Sequence, residues 1–420
     1  MKKKGGPFLY LFLRFFTLGI RFLFIAYFFR YSESLYGEYG LIATTVALGV
    51  YWLGLEFYTY SHREYLQKTS GISHLFLHQL TFNLLAYIIL LPVFYLFFAA
   101  GFLRKSYLLL FYILLVTEHL SLELQRLLFT LKKPLAANIN LLLRNGLWML
   151  PLVFYFYRGR PVNINEILKY WIAGDLAALL TGMFVLWPSV KNRFASFRPD
   201  LEWIKKGFYT GLPYFFGVMS LKIIEFSDRY FIDYYYDKAT VGIYTFFGNF
   251  SILISTVVFT AVFSLRYPDL VGLLARKNIP EFTSYFQKLQ REVMYWTLLT
   301  ASVLLISMPV VLKILHKQQH LHYYPAFVLL VTAYVFFNLS FLYHYILYGL
   351  KKDKWLLYAA IMAMLLNVGL NFFFVPAMGI TGAAITTLIA MAFLWGAKFM
   401  MARKIMKKYV RDKDEKIKLT

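Results

Sequence analysis

The sequence predicts an all-α, polytopic membrane protein. About 12 transmembrane helices fall in two six-helix lobes, related by a pseudo-two-fold axis along the membrane normal. Three observations lead there. The 420 residues are 60% hydrophobic and 20% aromatic but only 15% charged, against about 45–50% apolar and about 25% charged in soluble domains. Apolar runs long enough to cross a bilayer recur along the whole chain, with a mean hydropathy of +0.57. A set of short motifs also recurs in the same order in both halves. An apolar excess of this size cannot be hidden in one or two soluble cores, which excludes soluble enzymes, disordered chains and fibrous proteins. The chain has no cysteine, so disulfide scaffolds, thiolate metal sites and cysteine nucleophiles are excluded too.

A membrane span needs about 20 mostly apolar residues at about 1.5 Å each. Such runs stand near 7–29, 37–60, 78–101, 107–130, 135–157, 167–188, 208–232, 241–264, 292–315, 325–349, 355–375 and 380–401. The first follows Lys2-Lys3-Lys4 and imitates a secretory signal. It is too long for one, carries Arg14 and Arg21, and lacks a small-residue cleavage site, so it reads as a first spanning helix. Loops are short except 61–77, 189–207 and 265–291, and none is a separate soluble domain.

The net charge of +23, from 44 Lys and Arg against 21 Asp and Glu, would suggest nucleic acid in a soluble chain. Here the basic residues sort by loop. With the N-terminus inside, the cytoplasmic loops carry Arg63 and Lys68, Lys132 and Lys133, Lys191 through Lys206, Arg266 through Arg291, and Lys351, Lys352 and Lys354. This is the positive-inside pattern, so no nucleic-acid partner is expected and both termini are expected in the cytoplasm. The expected organisation is an N-terminal lobe over 1–190, a cytoplasmic linker over 191–207, a C-terminal lobe over 208–402 and a basic tail over 403–420. The tail reads as a topology anchor on anionic membrane lipids.

The repeat supports two lobes. Tyr36-Gly37-Glu38-Tyr39 opens span two and Val241-Gly242-Ile243-Tyr244 opens span eight; Leu131-Lys132-Lys133 follows span four and Leu350-Lys351-Lys352 follows span ten. Six and six spans that both start inside form a parallel repeat, the plan of transporters whose halves rock about a site. Arg198-Pro199-Asp200 is expected to break helical continuity in the linker.

The C-terminal quarter reads Leu366-Asn367-Val368-Gly369-Leu370-Asn371, then Val375-Pro376-Ala377-Met378-Gly379-Ile380-Thr381-Gly382-Ala383-Ala384-Ile385-Thr386-Thr387. This resembles the paired Asn, Pro, Gly-Ile-x-Gly-Ala-Ala and Thr pattern of polysaccharide (O-antigen, Wzx-type) flippases in the multidrug/oligosaccharidyl-lipid/polysaccharide exporter superfamily. Asp228-Arg229-Tyr230 with Val241–Tyr244, and Gly37-Glu38-Tyr39-Gly40, also look like that family. The resemblance implies a flippase of the bacterial inner membrane. Its substrate would be a polyprenyl-pyrophosphate-linked oligosaccharide and its neighbours the polysaccharide polymerase machinery; no cofactor is implied. Physically the motif is packing. Gly379, Gly382, Ala383 and Ala384 permit close helix approach, Pro376 ends one helix, and Asn367 and Asn371 share a face for interhelical hydrogen bonds.

Function is expected where an ionisable group enters a span despite a cost of about 2.5–3.5 kcal/mol at the centre. Arg14 and Arg21 share a face of span one. His119, Glu123 and Arg126 form a stripe on span four with Glu118 beside it; Arg144, Lys169 and Asp175, Glu56, and Lys222, Glu225 and Asp228 lie in spans five, six, two and seven. Each has a plainer account. Arg126, Lys169 and Asp228 stand near span ends and can snorkel, as can Arg14; Glu123 with Arg126 and Lys222 with Glu225 can neutralise each other. Arg21 and Arg144 fall near mid-span, where a water-filled cavity between the lobes accounts for them best. Arg14, Arg21, Arg144, Lys169 and Lys222 are therefore candidates to bind an anion, because arginine holds phosphate oxygens with a fork of donors. Glu56, Glu118, Glu123 and Asp175 are candidates for ion coupling, with charge pairing as the alternative. The eight His lie mostly in loops or at interfaces; with no HExxH, Walker A or GxSxG motif, an enzyme is not expected. The alternatives to a polysaccharide flippase are a cation-coupled multidrug exporter of the same superfamily and a lipid II flippase.

Overall fold

The structure, a computed structural model, describes residues 6–67, 72–190, 198–276 and 278–418. Lys2–Lys4, Lys68, Lys191, Arg193 and Lys277, which contribute to the predicted orientation, lie outside them. The described residues are helical apart from short turns, and no strand occurs among them. Among the described residues, nine helices are long and apolar enough to cross a membrane, ten if one bent pair is a single span.

The chain divides into two compact units, Met1–Phe215 and Phe216–Thr420. The first holds α1 (Gly6–Tyr31), α2 (Glu33–Gly54), α3 (Tyr58–Gln67), α4 (Ile72–Leu90), α5 (Tyr95–Ala99), α6 (Leu108–Thr130), α7 (Pro134–Leu142), α8 (Met149–Tyr157), α9 (Ile164–Val190) and the start of α10 (Leu201–Tyr235). Its central helix is α6, which packs against α2, α7 and α9. The second holds the rest of α10, α11 (Lys238–Ser251), α12 (Leu253–Val258), α13 (Ser264–Ala275), α14 (Ile279–Ile314), α15 (Tyr324–Gly349) and α16 (Asp353–Lys418), with α15 against α11, α12, α13, α14 and α16.

All twelve predicted runs fall on helix, but several are not single straight helices. Span two breaks at Leu55 and Glu56, both in the left-handed region (φ 45° and 55°), and α3 leaves α2 at 54°. Pro92 sits in a 3-10 turn over Leu91–Phe94 that interrupts span three, since proline cannot donate to the preceding turn. Span five contains one π-helical turn over Leu143–Leu147. The long α10 carries Lys222, Glu225 and Asp228 and is not among the nine apolar helices.

Two expectations are corrected here. Pro376 does not end a helix: the backbone runs through it and turns at Gly379 (φ 56°, ψ −130°), so α16 is two arms joined at that glycine. A side chain at Gly379 would be strained by the positive φ, and a Cβ on Gly382 would stand 2.0 Å from the Phe374 carbonyl oxygen. The segment 201–207 also does not behave as free linker. It is the first part of α10, and Trp203 and Ile204 are buried in the first unit's core beside Phe57 and Phe82. The chain is not helical at Arg198-Pro199-Asp200, where the break in helical continuity is expected.

The sequence repeat has a local structural counterpart. α2 and α11 each start at a capping side chain five residues before the repeat glycine: Ser32 Oγ accepts from Leu35 N, and Asp237 Oδ1 from Thr240 N. α6 and α15 end alike. Lys132 (φ 57°) and Lys351 (φ 55°) turn the chain, and the next residue donates back five positions, Lys133 N to Leu128 O at 2.9 Å and Lys352 N to Leu347 O at 2.8 Å.

Candidate functional site

In the first unit, α1 is a peripheral helix that packs against α7 and α8. Its Thr17 and Ile20 point into the unit, while Arg14 and Arg21 are exposed. Seven residues apart, the two stand about 10 Å apart along the axis on one face. Arg14 Nε donates to Asn138 Oδ1 at 2.9 Å and its guanidinium lies 5.5 Å from the Phe129 ring centroid. Among the described residues neither arginine forms an ion pair. Their forks therefore keep donors available for an anion.

Arg144 is different. The π-helical turn that carries it adds a residue to the helical turn and aims the side chain at α6. There one terminal nitrogen donates to Glu118 Oε1 at 2.6 Å and the other to Gln125 Oε1 at 2.8 Å. Arg144 is buried, 6% exposed. Glu118 accepts a second bond from Trp171 Nε1 at 3.2 Å, and Trp171 stacks on Trp148 with centroids 5.4 Å apart. Asp175, on α9, accepts from Thr117 Oγ1 at 3.2 Å. The Arg144 charge is thus answered inside the unit.

Below this lies a second buried network. Glu123 accepts from Arg126 at 2.7 Å and from Gln79 Nε2 at 2.7 Å, and Ser61 Oγ donates to Gln79 Oε1 at 3.2 Å. Arg126 rests 3.9 Å from the Tyr58 ring centroid, and Tyr58 hydrogen-bonds Glu56. The break after Gly54 is what turns Glu56 inward toward this group. Glu56, Glu118, Glu123 and Asp175, the candidates for ion coupling, are all buried, two of them in ion pairs. Arg126 is in such a pair rather than snorkelling.

In the second unit Lys222 Nζ meets Glu225 Oε2 at 2.7 Å, the pairing its spacing suggests. Asp228, expected to snorkel from a span end, is 1% exposed instead. It collects hydrogen bonds from Tyr244 and Thr387 and from Asn371 Nδ2, the last at 2.7 Å. Asn371 Oδ1 accepts from Thr386 Oγ1 at 2.5 Å and Asn367 Oδ1 from Ser227 Oγ at 3.0 Å. The Asn and Thr positions of the C-terminal motif thus close around one carboxylate, which ties α10, α11 and both arms of α16 together.

Of the five predicted anion ligands, Arg14, Arg21 and Lys169 are exposed, Arg144 is buried with Glu118, and Lys222 is paired with Glu225. Asn138, Gln125 and the role of Asp228 escaped prediction, because their partners are far away in sequence. Lys398 was also missed. It is 3% exposed and reaches Ser340 Oγ at 3.4 Å, with its ammonium 5.7 Å from the Phe341 ring centroid.

No family model and no curated protein matches the chain. Solved structures do. An inward-facing multidrug resistance MATE family transporter of the MOP superfamily superposes with a TM-score of 0.75 over 94% of this chain and 99% of its own, at 14% identity. The lipid II flippase MurJ, in an inward closed conformation, gives 0.73 over 94% and 87% at 15% identity. A MATE protein in complex with MaD3S gives 0.59 over 95% and 96% at 16% identity. The fold is that of the MATE and MurJ transporters. At these identities the likeness is one of fold, and which substrate such a fold carries depends on the side chains placed in it.

Proposed function

We propose that the protein is a flippase of the bacterial inner membrane, with both termini cytoplasmic. It carries polyprenyl-pyrophosphate-linked oligosaccharide repeat units from the cytoplasmic to the outer leaflet by alternating access, for surface polysaccharide assembly. The observation that carries this reading is the Arg14–Arg21 face of α1: two exposed guanidiniums inside a predicted span, neither ion-paired among the described residues. A pyrophosphate offers oxygens that such forks hold bidentately, and arginine stays charged at any relevant pH. MurJ, which shares the fold, is a flippase of a lipid. Arg144 acts in this reading as a support that fixes α7 and α8 against α6, and Lys169 as a further exposed cation.

A second reading, cation-coupled multidrug export, is favoured by the MATE structures among the neighbours. The two separate by mass spectrometry of lipid-linked intermediates after the protein is depleted in its host. Accumulation of a completed polyprenyl-pyrophosphate oligosaccharide, with loss of surface polysaccharide, supports the flippase. An unchanged pool with new sensitivity to cationic drugs overturns it in favour of export.

A further inference from the structure

The second unit contains a cavity of about 370 Å³ that neither the arginines nor the Asp228 ring uses. Its polar lining includes residues of α10 (Lys222, Glu225), α12 (Ser255, Thr256) and α15 (Tyr334, Asn338). Phe259, Phe337 and Phe341 give it an aromatic wall. This size, a largely apolar wall and a few convergent polar groups describe a small-molecule site.

The charges in the lining decide what fits. Lys222 and Glu225 are one cation and one anion, joined at 2.7 Å, so the cavity's own charged groups cancel. A ligand of either sign would have to bring a net charge into a lining that carries none, at a desolvation cost. A neutral ligand need not. The Ser255 Oγ is buried without a hydrogen-bond partner, and Asn338, 1% exposed, makes a long 3.4 Å bond to Thr297. Buried polar groups in such a state are costly unless something completes them. The matching ligand is compact and neutral, with a hydroxyl-rich rim and an apolar face to lie on the phenylalanines. A pyranose ring has that form.

We propose that this cavity is a binding site for one neutral sugar ring. The proposal rests on the flippase reading and deepens it by naming the sugar class the protein recognises. The test uses the full chain in nanodiscs, prepared from a detergent without a sugar headgroup. Saturation-transfer NMR is recorded with the methyl glycosides of glucose, galactose, N-acetylglucosamine and glucuronic acid, and with tetraphenylphosphonium. At least one neutral glycoside should bind. Asn338→Leu or Ser255→Ala should weaken it roughly fivefold or more, the loss that one hydrogen bond produces, while Lys404→Ala, at an exposed position of the tail, should not change it. Glu225→Gln, which removes the carboxylate paired with Lys222 and leaves the lining with a net positive charge, should admit the glucuronide. Circular dichroism and gel filtration check that each variant is folded. The proposal is overturned if no neutral glycoside binds, if the cavity variants bind as the native chain does, or if tetraphenylphosphonium binds in an Asn338-dependent way. The lipid-linked pool reads the parent proposal separately. Pool accumulation without glycoside binding removes only the sugar site, and glycoside binding with an unchanged pool removes only the flippase.

Discussion

Replacing Arg144 by methionine separates a structural arginine from a substrate ligand. In the native chain Arg144 and Glu118 meet at 2.6 Å with side chains 7% and 11% exposed, and Gln125 takes the other terminal nitrogen at 2.8 Å. Arg144→Met leaves the Glu118 carboxylate buried without its counter-charge, beside the Trp171 indole at 3.2 Å and the Asp175 carboxyl. Removing one partner of a buried pair costs about 3–5 kcal/mol, whereas replacing both by apolar groups is often close to neutral. Arg144→Met and Glu118→Leu should therefore each destabilise strongly, and the double variant should recover most of the loss. The expected coupling exceeds about 2 kcal/mol, well beyond the roughly 0.6 kcal/mol average of a neutral interhelical hydrogen bond in a membrane protein. Reversible unfolding in mixed micelles containing SDS measures all four members of the cycle. If each single variant costs under about 1 kcal/mol and the two effects simply add, the pair is not structural. Arg144 would then return to the set of anion ligands.

Three further outcomes follow from the geometry. Arg21→Glu should abolish export while the protein still inserts and folds, whereas Lys404→Glu, in the exposed basic tail, should leave export intact; surface polysaccharide and the lipid-linked pool report both. Gly382→Ala should unfold the α16 turn or lower its thermal stability markedly, because a Cβ there meets the Phe374 carbonyl oxygen at 2.0 Å. Gly369→Ala, with nothing within 4 Å, should be neutral or stabilise by up to about 1 kcal/mol as helical Gly→Ala changes do. Asp228→Leu should cost more than Asp228→Asn, since it removes the acceptor for Tyr244, Thr387 and Asn371 together. Each buried donor left without a partner costs about 1–3 kcal/mol, and thermal denaturation in detergent ranks the two variants.

What was legible in the sequence was what depends on neighbours along the chain. Apolar runs locate the helices because crossing a bilayer is a property of about 20 consecutive residues. The i, i+3 pairs Glu123–Arg126 and Lys222–Glu225 follow from helical spacing, and both form at 2.7 Å. The repeat motifs mark real caps, Ser32 and Asp237 at helix starts and Lys132 and Lys351 at helix ends, because capping is decided within a few residues. What was not legible depends on local departures from the ideal helix. The π-helical turn rotates Arg144 onto α6 and makes a neighbour of Glu118, 26 residues away. The left-handed pair Leu55 and Glu56 bends span two and turns Glu56 inward, with no proline to announce it. Pro376, the residue that does announce a stop, is carried through, and the turn waits for Gly379.

These departures also explain how the charges divide. In a membrane an ionised side chain must find a counter-charge, hydrogen bonds or water. The first unit contains Glu118 and Glu123 on α6 and answers them with Arg144 and Arg126, each brought in by irregular or closely spaced backbone. That accounting uses up the buried arginines and leaves Arg14 and Arg21, which lie on the exposed face of a regular helix with no acidic residue within its own 26 residues. Helical periodicity alone fixes where they point, and no carboxylate was supplied for them. Unlike Arg144, neither forms an ion pair among the described residues, although Arg14 donates to Asn138. In the proposed flippase reading, an anion from outside the chain is what gives their charge a partner, and a lipid-linked pyrophosphate is one that reaches a membrane-spanning helix.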